Sequence, residues 1–393
     1  MRTWFGYAGE HALSRTASLC VLGSLCALIA PGMGAQSDAA RQASSLMQSG
    51  RFHEAELLLR DLERRNPGEA SVHEDLGIAL AQEGELAAAA AEYRRALALR
   101  PHLPGGRLNL GLAEFKQGHF AEAVPLFKSA AKETPDDSRT QVLIGMSYFG
   151  LHQYADAVPS LRAASERDPA NVELHNILAQ SCLWARQFDC ALSEYTSIVS
   201  SNPDAVQAHM LLAEALDGMG RTDDAIEELE GAARISPKEP ILHFELGYLF
   251  FKKSNFEKAV PELELEIKNN PDYAQAYAYL GDIAIQSNDE SRAEPLLQRA
   301  IQLQEGIRLA HFDLGCIYED RKQSQEAISA FQRAIELDPT QPDAHFRLAR
   351  VYRDLGWRDK AMQEFAKTKE LHNKEDDSLI QRVSGSGAAS PRK

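Results

Sequence analysis

The chain has 393 residues, of which 44% are hydrophobic and 25% are charged, and its formal net charge is −15 at pH 7. No basic stripe interrupts this acidic balance, so we predict no binding to nucleic acid and no polybasic contact with a membrane surface. We interpret the excess negative charge as a means of keeping an extended protein in solution.

Residues 1–35 are typical of a secretory signal peptide. Two arginines precede an apolar run over residues 19–30, and small residues follow at Gly32, Gly34 and Ala35. Such a run is shorter than the roughly 20 residues that a membrane-spanning helix needs. We therefore predict cleavage after residue 34 or 35 and a secreted or periplasmic mature chain. An uncleaved N-terminal anchor is the alternative.

A period of 34 residues begins beside this segment and continues to residue 375. One series of alanines follows it without exception: Ala55, Ala89, Ala123, Ala157, Ala191, Ala225, Ala259, Ala293, Ala327 and Ala361. A series of prolines follows it with an interruption at Glu305: Pro67, Pro101, Pro135, Pro169, Pro203, Pro237, Pro271 and Pro339. Such a period predicts helix–turn–helix units that stack into a solenoid, with proline ending the second helix of each unit.

If the proline is numbered 32, the period defines ten repeats: 36–69, 70–103, 104–137, 138–171, 172–205, 206–239, 240–273, 274–307, 308–341 and 342–375. Position 8 contains only glycine or alanine, and position 24 only large apolar residues. Glycine inside a helix costs roughly 0.5–1 kcal/mol relative to alanine, so its recurrence predicts a place without room for a side chain. We expect positions 8 and 20 to form the close crossing of the two helices, with positions 7 and 24 filling the core around it.

This pattern resembles the tetratricopeptide repeat, with a small residue at 8, alanine at 20, a large apolar residue at 24 and proline at 32. The resemblance covers residues 36–375. It implies an all-α, right-handed superhelical solenoid that serves as a scaffold for protein–protein interaction rather than as an enzyme. One departure lies at position 27, where alanine is expected and where we predict less regular packing at Leu62, Ile198, Glu266 and Thr368.

Histidine recurs at position 4 and raises the question of a metal site. The residues are His73, His175, His209, His243, His311 and His345. Equivalent positions in neighbouring repeats are about 8–10 Å apart. Zinc needs nitrogens about 2 Å from one ion, so we predict that these imidazoles are half-buried, pack between repeats and donate a hydrogen bond to a neighbour. The chain also lacks a glycine-rich phosphate loop and a nucleophile elbow, so we predict no metal, no cofactor and no catalytic residue.

Three cysteines follow the signal segment. Cys182 and Cys190 flank the turn between the two helices of the fifth repeat, where their side chains can meet, and secretion favours their oxidation. The sequence leaves two interpretations open, a disulfide or a pair of buried thiols. Cys316 remains unpaired in either interpretation.

In proteins that this chain resembles, positions 2, 5, 9, 12 and 13 of the first helices line a concave groove. The middle repeats place apolar and aromatic residues there, whereas the last two place charged ones such as Arg350 and Asp354. About half of the apolar residues are expected to be structural. Aromatic anchors dominate binding energy, and we predict that the partner-binding residues are Phe115, Met146, Phe149, Trp184, Met210, Tyr248 and Phe251.

These observations predict a non-catalytic scaffold that binds partner peptides or helices in a groove with an apolar centre, in the assembly of a cell-envelope complex. The alternative is an accessory subunit of an enzyme whose catalytic chain is separate. A carbohydrate-binding array is a weaker hypothesis, because Trp184 is the only tryptophan at these groove positions. Residues 376–393 are rich in serine and glycine near their end and are predicted to form a flexible tail.

Overall fold

A computed structural model describes residues 38–135 and 137–385 of the chain. The predicted signal peptide and residues 386–393 of the predicted tail lie outside this range. The described residues form twenty α-helices and no strand. In chain order, α1 to α20 are Asp38–Gln48, Phe52–Arg65, Ala70–Gln82, Leu86–Leu99, Gly106–Lys116, Phe120–Glu133, Ser138–Gly150, Tyr154–Ser165, Val172–Trp184, Phe188–Ser201, Val206–Gly218, Thr222–Ile235, Leu242–Lys252, Phe256–Asn269, Ala274–Gln286, Glu290–Leu303, Arg308–Asp320, Ser324–Leu337, Pro342–Asp354 and Arg358–Gly385.

Each predicted repeat contains one odd-numbered helix followed by one even-numbered helix. The chain divides into two compact parts, one ending at Gln117 and the other beginning at Gly118. In the nine repeats whose two helices belong to the same part, these helices pack as a hairpin. The prediction of an all-α solenoid of about ten repeats is confirmed.

The glycines of position 8 lie beneath the large side chain of position 24. A Cβ placed on Gly145 would lie 2.5 Å from Cγ of Leu161, and one placed on Gly315 would lie 2.5 Å from Cε1 of Phe331. These distances are shorter than carbon atoms tolerate, so glycine makes room for the side chain that crosses over it. The second helix itself is also close, because a Cβ placed on Gly281 would lie 3.5 Å from the carbonyl oxygen of Ala293 at position 20. The alanine of position 20 is fully buried in nearly every repeat, which agrees with the close crossing expected at positions 8 and 20.

A left-handed residue at position 15 follows the first helix in all ten repeats. It is glycine at Gly50, Gly84, Gly118, Gly220 and Gly356, with φ between 74° and 83°. Other repeats place a non-glycine residue there, namely His152, Arg186, Ser254, Asn288 and Lys322, with φ between 56° and 60°. A left-handed residue after a helix reverses the chain and satisfies helix-terminal carbonyls, so this position forms the turn of each hairpin.

Glu266 shows how a departure at position 27 is accommodated. Its side chain is fully buried at the junction of α14 with α13. The carboxylate accepts hydrogen bonds from the backbone N–H of Ile241 at 3.1 Å and of Phe244 at 3.4 Å. Burial still raises its pKa above the usual range, although those two donors oppose the rise. Glu266 therefore caps the N-terminus of α13, where Ile241 adopts a left-handed φ of 72°.

The prediction of a flexible tail from residue 376 is wrong for residues 376–385, because α20 continues to Gly385. Position 32 of the last repeat is Asn373 rather than proline, so nothing there removes a backbone N–H or blocks the next turn. The following residues contain no glycine before Gly385, and the helix continues through them.

Candidate protein-binding surface

Three half-buried aromatic side chains meet where α7, α8 and α9 come together. The ring centroids of Phe149 and Trp184 are 5.4 Å apart, and those of Tyr154 and Trp184 are 4.8 Å apart. Phe149 and Tyr154 complete the contact at 5.5 Å. We call these residues the Trp184 cluster. The sequence pattern identified two of them, but Tyr154 begins a second helix and was not among the positions considered.

A second group of rings lies on α13 and α15 and forms the Tyr248 cluster, consisting of Phe244, Tyr248, Phe251 and Tyr279. Tyr279 contacts all three residues of α13, with ring centroids 5.7, 5.4 and 5.1 Å away. Phe244 is buried, whereas Tyr248 and Phe251 are half-buried. Tyr279 occupies position 6 of its repeat, outside the positions from which we predicted the surface.

The remaining predicted anchors differ in exposure. Met146 on α7 and Phe115 on α5 are half-buried, and Phe115 belongs to the first part of the chain. Met210 is only 6% exposed and packs in the core of repeats 4 to 8, so its assignment as a partner-binding residue is wrong.

Carboxylates surround the Tyr248 cluster. Lys252 donates to the Asp217 carboxylate at 2.7 Å, which joins α13 to α11. Burial raises the pKa of Glu214 to about 7, and the negative charge of Asp217 adds to the rise. Burial also raises the pKa of Tyr248, with Lys252 opposing it. The rings thus lie beside polar groups that are poorly hydrated, which increases the electrostatic effect of any charge brought next to them.

The charged residues predicted at the C-terminal end of the surface pair with one another. The Glu319 carboxylate contacts Arg347 at 3.1 Å and Arg350 at 3.4 Å. Arg353 contacts the adjacent Asp354 at 2.9 Å. Because these charges are neutralised within the chain, the aromatic clusters are the stronger candidates for partner binding.

The histidines of position 4 hydrogen-bond to a neighbouring group as predicted, but in five repeats the partner lies in the same repeat rather than in the next one. In five repeats Nδ1 lies 2.6–2.7 Å from a glutamate oxygen of position 23. The pairs are His73–Glu92, His175–Glu194, His209–Glu228, His243–Glu262 and His345–Glu364. In His311, Nε2 is instead 2.9 Å from the carbonyl oxygen of Glu305.

The structure joins Cys182 and Cys190 by a disulfide, with Cα atoms 5.7 Å apart. The bond links the buried side of α9, near its C-terminal end, to the start of α10 across the turn of the fifth repeat. Cys316 is a free, buried thiol, and burial raises its pKa to about 12. A thiol with so high a pKa has little thiolate at neutral pH and is therefore unreactive.

Sequence profiles of the tetratricopeptide repeat match most of the array, over residues 41–104, 80–145, 148–215, 183–246, 244–306, 315–356 and 342–371. The chain belongs to the tetratricopeptide repeat family. The family supports a general role as a scaffold for protein–protein interaction. No curated protein matches the chain. None of the described helices is both long enough and apolar enough to cross a membrane.

Several solved structures are similar in fold. The Cut9–Hcn1 assembly of the APC/C aligns over 84% of this chain and 79% of its own, with a TM-score of 0.50 and 14% identity. The C-terminal part of a TPR protein from Cytophaga hutchinsonii aligns over 61% and 98%, with a TM-score of 0.46 and 17% identity. A MamA structure aligns over 42% and 97%, with a TM-score of 0.37 and 24% identity. At these identities the likeness concerns the fold alone.

Proposed function

We propose that the protein is a non-catalytic scaffold and that the Trp184 and Tyr248 clusters bind an apolar segment of a partner protein. The observation that carries this proposal is the gathering of half-buried rings on the first helices of the central repeats. Large aromatic side chains that remain partly accessible next to buried polar groups have the character of binding hot spots. An amphipathic helix or an extended peptide with apolar anchors fits such a surface.

The test measures partner affinity after truncation of one ring in each cluster. The partner is first recovered from an envelope extract with the immobilised mature protein. Trp184→Ala and Tyr248→Ala should each weaken its binding by about 2 kcal/mol, or roughly thirtyfold. Met362→Ala is the control, because Met362 is 63% exposed and lies on α20, the second helix of the last repeat, away from the first helices. Wild-type affinity in both ring variants, with loss in the control variant, would reject this surface.

We also propose that the mature protein is secreted or periplasmic and takes part in assembling an envelope complex. The Cys182–Cys190 disulfide supports this location, because such bonds persist in oxidising compartments. N-terminal sequencing of the protein from envelope fractions should find a chain that begins near Gln36. A chain that begins at Met1 in the cytoplasm would contradict the proposal. If an enzyme co-purifies stoichiometrically, the protein is instead its accessory subunit.

A further inference from the structure

His53, Glu56 and Glu83 form a cluster apart from the aromatic surface, in the first part of the chain. His53 and Glu56 lie one turn apart on α2, so their side chains share a face of that helix. Glu83 follows the last residue of α3 in the next repeat. Packing of α3 on α2 brings one potential ligand atom from each residue within 4.8 Å of the others. We call these residues the His53 cluster.

Distances within the cluster differ from those of the other histidine–glutamate pairs. Nδ1 of His53 lies 3.5 Å from Oε2 of Glu56 and 3.3 Å from Oε1 of Glu83. The five pairs of position 4 have direct contacts of 2.6–2.7 Å. Hydrogen bonds from N–H to oxygen span about 2.7–3.2 Å. Nδ1 of His53 thus faces two carboxylates at once and is too distant for a good hydrogen bond to either.

These distances match the edges of a metal tetrahedron. Zinc binds histidine nitrogen and carboxylate oxygen at about 2.0–2.2 Å, which separates neighbouring ligand atoms by about 3.3–3.5 Å. We propose that His53, Glu56 and Glu83 bind a zinc ion, with Nδ1 of His53 and one oxygen of each carboxylate as ligands.

The surroundings support a ligand role for both carboxylates. Nε of Arg60 donates to Oε1 of Glu56 at 2.6 Å, which leaves Oε2 directed at His53. Such contacts behind a ligand hold it in position. Oε1 of Glu83 lies 3.3 Å from Nδ1 of His53, so one oxygen of each carboxylate faces the imidazole.

The side of the cluster away from the helices is open. A cleft of about 250 Å³ is lined by residues 50–54 together with Glu83. Gly50 contributes no side chain, and Arg51 is held by Glu54, with Nε of Arg51 2.6 Å from the Glu54 carboxylate. The positive charge of Arg51 is therefore directed away from the His53 cluster. A water molecule can complete the coordination of zinc from this side.

A second cluster with the same residue types shows what excludes a metal. Glu63, His73 and Glu92 also bring their ligand atoms within 4.8 Å of one another. Arg95 already bridges the two carboxylates, at 3.1 and 2.7 Å. Both nitrogens of His73 have hydrogen-bond partners, one of them the Glu92 carboxylate at 2.7 Å. The guanidinium of Arg95 therefore occupies the place between the carboxylates where a metal ion would bind. No guanidinium of the described residues bridges the carboxylates of the His53 cluster.

A zinc ion at the His53 cluster would link α2 of the first repeat to the end of α3 in the second. The first repeat of an array has a neighbour on one side only, and end repeats need special stabilisation. Metal binding to the folded state alone stabilises that state by mass action. The ion would therefore act as a clamp on the N-terminal end of the array, independently of partner binding at the aromatic clusters.

The test is zinc titration of the tag-free mature protein by calorimetry, after removal of metals with a chelator. We expect one zinc ion per chain, and we expect Glu83→Gln and His53→Ala each to weaken it at least tenfold. Both residues are exposed, so these variants should keep the fold, which circular dichroism verifies. Asp61→Asn is the matched control, because Asp61 lies on the same helix as His53 and Glu56 but pairs with Arg65 outside the cleft.

Cobalt provides a second readout, since a tetrahedral Co²⁺ site absorbs far more strongly than an octahedral one. The wild-type protein and Asp61→Asn should give the tetrahedral spectrum, and Glu83→Gln should lose it. The proposal is overturned if the wild-type protein binds no stoichiometric zinc. It is also overturned if both ligand variants bind zinc as tightly as wild type, or if bound cobalt is octahedral.

Discussion

Replacing Gly145 and Gly231 by alanine tests the claim that position 8 has no space for a side chain, because Gly145 occupies that position and Gly231 does not. Gly145 lies inside α7, and an added Cβ would lie 2.5 Å from Cγ and 2.6 Å from Cδ2 of Leu161. Leu161 is fully buried and cannot move aside freely. Overpacking of this kind costs about 1–3 kcal/mol, and the better helix propensity of alanine returns about 0.5–1 kcal/mol. Gly145→Ala should therefore destabilise the fold by about 1–2 kcal/mol.

Gly231 lies inside α12, where an added Cβ would meet nothing closer than a guanidinium nitrogen of Arg234 at 3.6 Å. Gly231→Ala should stabilise the protein by about 0.5–1 kcal/mol, because only the propensity gain remains. The assay is urea denaturation followed by circular dichroism, with hydrogen exchange of α7 and α8 as the local measure. The reasoning is refuted if Gly145→Ala is as stable as wild type, or if both variants shift the midpoint in the same direction.

Three further predictions concern stability. Reducing the Cys182–Cys190 disulfide, which closes a loop with a sequence separation of 8, should cost roughly 2–3 kcal/mol, measured as the difference in urea midpoint with and without reductant. For Glu214, a folded-state pKa of about 7 against an ordinary 4.5 means that its stabilising contribution is complete below pH 4.5 and lost as pH rises through 7. Glu214→Gln should therefore exceed wild type in stability at pH 8 by up to about 3 kcal/mol, and the difference should vanish by pH 4.5; an equal difference at both pH values would contradict this. Ser254 has a left-handed φ of 56°, which strains a residue that carries a Cβ, so Ser254→Gly should raise the unfolding midpoint by the equivalent of about 0.5–1 kcal/mol. A lower midpoint would show that the serine is not strained at this position.

The repeated fold was predictable because the same steric requirements recur in every 34-residue period. The invariant alanine, the small residue of position 8 and the terminal proline each mark a place where backbones approach or a helix stops. The close crossing at position 8 was predicted, but a small residue states only that space is limited and does not name the group that fills it. The contact of Gly145 with Leu161 shows that the space is taken by the side chain of position 24. The extension of α20 was also readable from Asn373, which replaces the terminal proline.

The candidate surface was predictable only in part, because helix position alone does not report burial. Trp184 and Tyr248, at positions 13 and 9, are half-buried as expected. Met210, at position 5, is buried in the core of repeats 4 to 8. Tyr279 was missed since its contact with Tyr248 depends on how two successive repeats pack, which a pattern within one repeat does not contain.

The His53 cluster was invisible to the sequence pattern for a related reason. His53, Glu56 and Glu83 come from two repeats and from three different repeat positions, so no period connects them. Our expectation of a chain without a metal site was drawn from the histidines of position 4, and those have carboxylate or carbonyl partners in the structure. Only the packing of α2 against α3 brings the three ligand atoms together.

Site-specific photocrosslinking in the native host tests the central claim most directly. A photoreactive amino acid replaces Trp184, Tyr248 or the control residue Met362 in three separate strains. If the Trp184 and Tyr248 clusters bind the partner, the same protein should be crosslinked from Trp184 and Tyr248 and not from Met362. Crosslinks to that protein from Met362, with none from the two aromatic positions, would contradict the account.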